Sequence, residues 1–138
     1  MTGPVRAAAA VALLLASFGC GGGRPAALPA PSAAPVSALS GEAASLVSRG
    51  WAANEKNRPE EAFAAFDRAI ALDPGNAAAF DGRGWARVLL RDYPAAVADF
   101  TRAVELLPTF AAAYDNRGWV LSLLGRHEAA IADFNRAI

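Results

Sequence analysis

Apolar and small residues recur with a fixed lag of 34 residues between residues 43 and 138. Each copy contains an Arg-Gly-Trp triplet, then a phenylalanine sixteen residues after the glycine and an alanine three residues further on. So many matches at one lag predict an array of repeated structural units. Helices are expected over 43–56, 77–90 and 111–124, and again over 59–72, 94–107 and 128–138.

A glycine in the middle of each first helix predicts close packing of the second helix of the same unit. Glycine inside a helix costs about 1 kcal/mol relative to alanine, so Gly84 is tolerable only where another backbone comes near. Ala96, twelve residues later, is small enough to permit that approach. Phe80 and Phe100 are then expected to fill the space between the paired helices.

The ends of the predicted helices carry residues typical of helix termini. Pro59 and Pro94 suit a first helical turn, where the missing N–H is not needed. Residues 73–76 end one helix and start the next, with Asn76 as the expected N-cap.

These residues together resemble the tetratricopeptide repeat, a helix-turn-helix unit of 34 residues. The resemblance covers about two thirds of the chain, in units 43–76, 77–110 and an incomplete 111–138. It implies an all-α fold in which the units stack as a short right-handed solenoid. The matching residues are Gly50, Gly84 and Gly118; Ala62, Ala96 and Ala130; Phe66, Phe100 and Phe134; Ala69, Ala103 and Ala137; Pro74 and Pro108; and Leu46, Phe80 and Tyr114.

The same resemblance implies a concave face lined by the first helix of each unit. Three tryptophans one period apart would form an aromatic ladder on that face, and tryptophan is enriched at binding hot spots. Two alternatives stay open: the rings pack internally between adjacent helices, or they persist only from repeat duplication. The expected groove residues for a partner are Val47, Trp51, Asn54, Asp81, Trp85, Val88, Asp115, Asn116, Trp119 and Ser122.

Some members of the family hold a C-terminal carboxylate with lysine, asparagine and arginine side chains on this face. Here only Asn116 matches that set, whereas Asp81 and Asp115 place acids beside the tryptophans. Binding of a chaperone tail of that type is therefore disfavoured, and a ligand with apolar and basic side chains is expected.

Arginine precedes the repeated glycine, where the family usually has leucine. Its stem could lie on apolar surface with the guanidinium in solvent. Alternatively it could pair with an acid on the second helix of its unit, Asp99 or Asp133. The first unit has Ala65 at that position, so the pairing cannot occur in every unit.

Composition argues against several classes of function. The 13 basic and 13 acidic residues balance, so no electrostatic signature of nucleic-acid binding is present. Cys20 is the only cysteine, which rules out an internal disulfide, and the few scattered ligand-type residues predict no metal or cofactor. His127, the only histidine, is expected in a surface turn with no nucleophile beside it, so the protein is expected not to be an enzyme.

Residues 1–19 have the features of a bacterial lipoprotein signal peptide. Arg6 precedes an uncharged run over 7–18, which at about 18 Å of helix is too short to span a bilayer. Cys20 ends the run in a sequence similar to a lipoprotein cleavage box, although Ser17 stands where leucine is usual. Lipidation of Cys20, and through it membrane attachment, is therefore expected.

Residues 20–41 are rich in glycine, proline and alanine, and they are expected to form a disordered linker after the lipidated cysteine. The folded domain would then occupy 42–138. The alternatives are a secreted protein cut near Ala26 or Ala30, and an uncleaved anchor or a misassigned start.

These features predict a non-enzymatic scaffold, lipid-anchored in the bacterial cell envelope and facing the periplasm, possibly on the outer membrane. It is expected to bind a peptide or protein partner in its groove. The alternative is a self-associating structural subunit of an envelope assembly. Ile131 and Ile138 share a face of the final predicted helix that a further unit would cover, so self-association or fraying is expected there.

Overall fold

The computed structural model describes the backbone of residues 36–138 and the side chains of residues 40–138. The predicted signal peptide, Cys20 and the predicted linker up to residue 35 lie outside this part of the chain. Within it, helices joined by short turns account for the structure, which confirms the all-α fold. The helices are α1 (Val36–Glu55), α2 (Pro59–Leu72), α3 (Ala77–Leu89), α4 (Tyr93–Leu106), α5 (Ala111–Leu123) and α6 (His127–Ala137).

The helices form three successive helix-turn-helix pairs, α1 with α2, α3 with α4, and α5 with α6. Each pair packs on the next through α2 against α3 and through α4 against α5. The first helices of the pairs are also neighbours, α1 beside α3 and α3 beside α5. This regular stacking confirms the predicted solenoid of tetratricopeptide-like units.

The repeated glycines lie where the two helices of a pair come closest. A Cβ atom added to Gly50 would lie 2.6 Å from Cζ of Phe66, and one added to Gly84 would lie 2.7 Å from Cε1 of Phe100. Both phenylalanines and Ala96 are fully buried. The expected close approach of the paired helices is therefore confirmed, and a side chain at these glycines would collide with the core.

Successive pairs share core residues at their junctions. Val104 of α4 and Tyr114 of α5 are buried in one cluster. Phe80 of α3 packs half-buried against this cluster, so it also helps to join the second pair to the third.

Helix termini and turns follow the repeat as well. The side chain of Asn76 accepts a hydrogen bond from the Ala79 backbone N–H at 3.0 Å, which confirms the predicted N-cap. The turn inside each pair contains a residue with positive φ, namely Asn57, Arg91 and Gly125. Only glycine adopts that conformation without strain, so the third turn is the least strained of the three.

Two helix boundaries differ from the sequence-based expectation. Helix α1 begins at Val36 and not near residue 43, so residues 36–41 of the predicted linker are helical. No proline follows Pro35 in this stretch, so nothing there breaks a helix that the repeat already requires further on. His127 is the first residue of α6 and not a turn residue, although its side chain is exposed.

Candidate functional site

The predicted groove residues lie along α1, α3 and α5, which pack side by side. Trp85 of α3 and Trp119 of α5 make a direct ring contact, with centroids 5.8 Å apart and planes tilted by 40°. Trp85 is half-buried, whereas Trp119 is 45% exposed. The pair therefore presents one partly covered indole beside one open indole.

Trp51 has a different environment from the other two tryptophans. Its ring lies edge-on against Phe66, with centroids 5.6 Å apart and an interplanar angle of 78°. Trp51 and Val47 are both half-buried against the apolar core of the first pair. The three tryptophans thus divide into Trp51 on the core and the Trp85–Trp119 pair between α3 and α5.

Three of the predicted groove residues, Asn54, Asp81 and Val88, are buried between neighbouring pairs instead of facing a groove. The cause is the first helix of the following pair, which packs directly over these positions. The side-chain amide of Asn54 donates to the backbone oxygen of Gly82 at 3.1 Å. Asp81 Oδ1 accepts from Asn116 Nδ2 at 3.0 Å. These polar contacts hold successive pairs in register, so the structure assigns them a role in packing.

Burial strongly affects the two polar groups at these junctions. Asp81 is only 3% exposed, and this burial raises the pKa of its carboxyl group, while the hydrogen bond from Asn116 partly opposes the shift. Asn54 Oδ1 is buried without a hydrogen-bond partner among the described residues. An unsatisfied buried acceptor costs about 1–3 kcal/mol, so this junction is not optimised for stability alone.

The exposed members of the predicted set lie on α5. Asp115, Trp119 and Ser122 are exposed and follow one another at spacings of four and three residues, which places them on one face of the helix. Asn116 next to them is half-buried by its bond to Asp81. We call Trp85, Asp115, Trp119 and Ser122 the aromatic patch.

The arginines before the repeated glycines pair with acids in the second and third units. Arg83 donates to Asp99 through Nε at 3.0 Å and through Nη2 at 2.8 Å. Arg117 makes the same two-pronged contact with Asp133, both distances being 2.7 Å. Hydrogen bonding to these acids is the main cause that raises the pKa of both guanidinium groups. The ion-pair alternative is therefore confirmed for these two units, and Arg49 is exposed as Ala65 implies.

A further function of these arginines could not be anticipated from one repeat in isolation. The remaining amine of each guanidinium reaches back to the preceding pair, where Arg83 Nη1 donates to Asp67 at 2.8 Å and Arg117 Nη1 donates to Thr101 at 3.1 Å. The guanidinium of Arg83 also lies 5.8 Å from the ring centroid of Phe63. Asp67 and Thr101 are 34 residues apart, so the 34-residue lag itself was the signal that could have found this contact.

The described residues contain no group of three or more histidine, cysteine, aspartate or glutamate side chains arranged to hold a metal ion. None of the helices in the same part of the chain is long and apolar enough to cross a membrane. The exposed His127 begins α6, far along the sequence from the aromatic patch residue Trp85.

Comparison with known proteins identifies the same repeat. The second tetratricopeptide domain of Spaghetti (RPAP3), bound to the HSP90 peptide SRMEEVD, is 28% identical with a TM-score of 0.69, over 73% of this chain and 95% of that chain. The Arabidopsis OM64 tetratricopeptide domain is 27% identical with a TM-score of 0.69, over 72% of this chain and 82% of that chain. The first tetratricopeptide domain of human RPAP3 is 26% identical with a TM-score of 0.69, over 71% and 77% respectively.

No curated protein matched the sequence. The family model described as tetratricopeptide repeat matches residues 6–77 and 82–138, which is most of the chain. With the helix pairs, the glycine–phenylalanine packing and the solved relatives in agreement, the chain belongs to the tetratricopeptide repeat family.

Proposed function

We propose that this protein is a non-enzymatic scaffold that binds a peptide or protein partner on the aromatic patch, and that a lipid on Cys20 tethers it to the bacterial cell envelope. The observation that carries the binding proposal is the exposed Trp119, backed by Trp85 and preceded one helical turn earlier by the exposed acid Asp115. Membership of a family of interaction domains supports the same conclusion.

The chemistry of the patch indicates the kind of ligand. Trp119 offers a large apolar surface whose position is already restrained by contact with Trp85, so little side-chain entropy is lost on binding. Asp115 supplies an exposed negative charge on the same face. A ligand that combines an apolar anchor with a basic side chain therefore complements the patch in both respects.

The ligand of the RPAP3 relative has the opposite charge. That protein is bound to SRMEEVD, a peptide with three acidic residues. An acidic peptide would meet Asp115 on the aromatic patch, and like charges disfavour that complex. We therefore propose that this protein uses the family fold to bind an apolar and basic segment, and not an acidic chaperone tail.

A matched pair of peptides tests this proposal. Fluorescein-labelled SRMEEVD and its charge-reversed counterpart SRMKKVK would be titrated with the protein, and anisotropy would report binding. The charge-reversed peptide is expected to bind at least about tenfold more tightly, equivalent to about 1.4 kcal/mol. Trp119→Ala should weaken that binding by about 1–4 kcal/mol with unchanged helicity.

Ile131→Ala provides the control, because Ile131 is 59% exposed on α6 and lies outside the aromatic patch. It should leave peptide affinity unchanged. Equal loss with both variants, or tighter binding of SRMEEVD, would contradict the proposed site.

Tryptophan accessibility gives an independent test of the patch. Iodide should quench the emission of Trp119, which is open to solvent, more strongly than that of Trp51, which packs on Phe66. Two variants that each retain one of these indoles beside Trp85, Trp51→Phe and Trp119→Phe, separate the contributions. Equal quenching of both variants would place Trp119 inside the fold and exclude it as a binding surface.

A further inference from the structure

We infer that this chain associates head to tail with further copies of itself, in the register that its own repeats use, so that α1 of one copy packs on α5 and α6 of another. This inference goes beyond the proposed peptide binding. It rests on the two ends of the described solenoid, which leave uncovered the same positions that the two internal junctions bury.

One end, which we call the head face, consists of Ser45, Arg49 and Ala52 on α1. All three are exposed. At the same positions of the second and third pairs, both flanking residues are fully buried and the arginine side chain is only 15–18% exposed, because the preceding pair covers them. The corresponding residues are Ala79, Arg83 and Ala86 on α3, and Ala113, Arg117 and Val120 on α5.

The other end, which we call the tail face, has its apolar part on α6. Ile131 is 59% exposed, and Ile138 is fully exposed. One and two repeat lengths earlier, the residues equivalent to Ile138 are the half-buried Ile70 and the buried Val104. The full tail face comprises Asp115, Trp119, Ser122, Ile131, Asn135 and Ile138.

The arginine contact shows how the two faces fit. At each internal junction the third amine of a guanidinium binds the preceding pair, first at Asp67 and then at Thr101. Asn135 is the next residue in that series and is exposed, with a side-chain oxygen able to accept the same bond. Arg49 is the arginine that no described carboxylate pairs with, so its guanidinium is available to bind Asn135 of a second copy.

Contacts between the first helices repeat in the same way. Asp81 binds the side chain of Asn116, and in the series the exposed Asp115 would meet Ser48 of a second copy, whose hydroxyl can donate. The Trp85–Trp119 contact would likewise be followed by Trp119 against Trp51 of that copy.

This arrangement explains why the occupant is a second copy and not another protein. Small residues, an arginine and an indole stand on the head face at the spacing that the tail face accommodates twice within the chain. Trp119 would then be covered only as far as Trp85 is now, so peptide binding would persist along the assembly. Head-to-tail contacts do not saturate in a dimer unless the rotation closes a ring, so a concentration-dependent series of sizes is expected.

Two variants that each block one face test the register. Ala52→Arg places a long charge on the head face, and Ile131→Arg does so on the tail face; both positions are exposed, so folding should be unaffected. In sedimentation of the full chain in a mild non-ionic detergent, the unchanged protein should form a size series. Each variant alone should be monomeric, and their mixture should give a dimer and nothing larger.

Other outcomes would overturn the inference. A strictly monomeric unchanged protein would exclude assembly, and an Ala52→Arg variant that still associates would show tail-to-tail or N-terminal contacts instead. Peptide affinity of the monomeric variants is read separately, so failure here leaves the test of the aromatic patch intact.

A gain of affinity provides a second test. Asn135→Asp copies the Arg83–Asp67 ion pair at the open end and should lower the dissociation constant by roughly tenfold. Adding Arg49→Gln should abolish that gain, since the new acid would have no cation to bind. A gain that persists without Arg49, or no gain at all, would contradict the proposed contact.

Discussion

The ion pair between Arg83 and Asp99 should be costly to break because it is both well formed and poorly hydrated. Its two hydrogen bonds measure 3.0 and 2.8 Å. The side chains of Arg83 and Asp99 are 15% and 5% exposed. Arg87 also approaches the same carboxylate, with Nε 3.3 Å from Oδ2. Asp99→Ala would therefore leave two partly buried guanidinium groups without their shared acid.

The size of the effect follows from this geometry. Removing one partner of a buried ion pair costs about 3–5 kcal/mol because the other charge remains buried. Arg83 would keep its 2.8 Å contact with Asp67, so we expect the lower end, about 3 kcal/mol. Folded domains are stable by only about 5–15 kcal/mol, so the unfolding midpoint in urea should fall clearly.

Asp67→Ala is the matched control, since it removes a carboxylate from the same guanidinium at the same 2.8 Å distance. Asp67 is 59% exposed, and exposed pairs contribute at most about 1 kcal/mol. Urea unfolding of the full chain, followed by circular dichroism, compares the two. Equal losses, or a loss below about 1 kcal/mol for Asp99→Ala, would refute the argument from burial.

Three further predictions concern packing, pH and the tether. Gly84→Ala should lower the melting temperature, because a Cβ 2.7 Å from Phe100 costs about 1–3 kcal/mol of overpacking against a helix gain of about 1 kcal/mol; an unchanged midpoint would contradict this. Burial raises the pKa of Asp81 above the usual 3.8 of aspartate, so its stabilising contribution is complete below 3.8 and is lost as pH rises through the folded-state pKa. The unfolding free energy of Asp81→Asn should therefore lack this loss, and a pH-independent difference from the unchanged protein would argue against it. Cys20→Ser should move the protein from the membrane pellet to a soluble or unprocessed form, whereas pelleting after a carbonate wash with unchanged processing would exclude lipidation.

The sequence was most informative where a contact lies inside one repeat. The glycine–phenylalanine packing follows from the cost of glycine in a helix, and Gly84 against Phe100 has that geometry. The Arg83–Asp99 pair was one of two alternatives, and the acid sixteen residues after the arginine favoured it. Both contacts depend on one pair of helices whose packing the repeat pattern already implies.

Contacts between repeats were harder to predict. Asn54, Asp81 and Val88 were expected in a groove, but the side of a helix that meets the next repeat depends on the angle between successive pairs. A spacing of three or four residues places side chains on one face without saying what covers that face. The polar character of Asp81 suggested solvent, yet Asn116 satisfies it within the junction.

The start of α1 shows a different limit. Residues 36–41 were assigned to a linker because glycine and proline dominate the preceding sequence. Composition averaged over a segment does not locate the boundary at which the last proline gives way to helix-compatible residues.

Charge reversal at Asp115 tests the central claim most directly, because it changes only the charge beside Trp119 on an exposed helix face. Binding of SRMKKVK and SRMEEVD would be measured by anisotropy for the unchanged protein and for Asp115→Lys. We predict that the unchanged protein prefers SRMKKVK and that Asp115→Lys prefers SRMEEVD, with helicity the same in both. The same peptide preference in both proteins would show that the aromatic patch is not where the peptide binds.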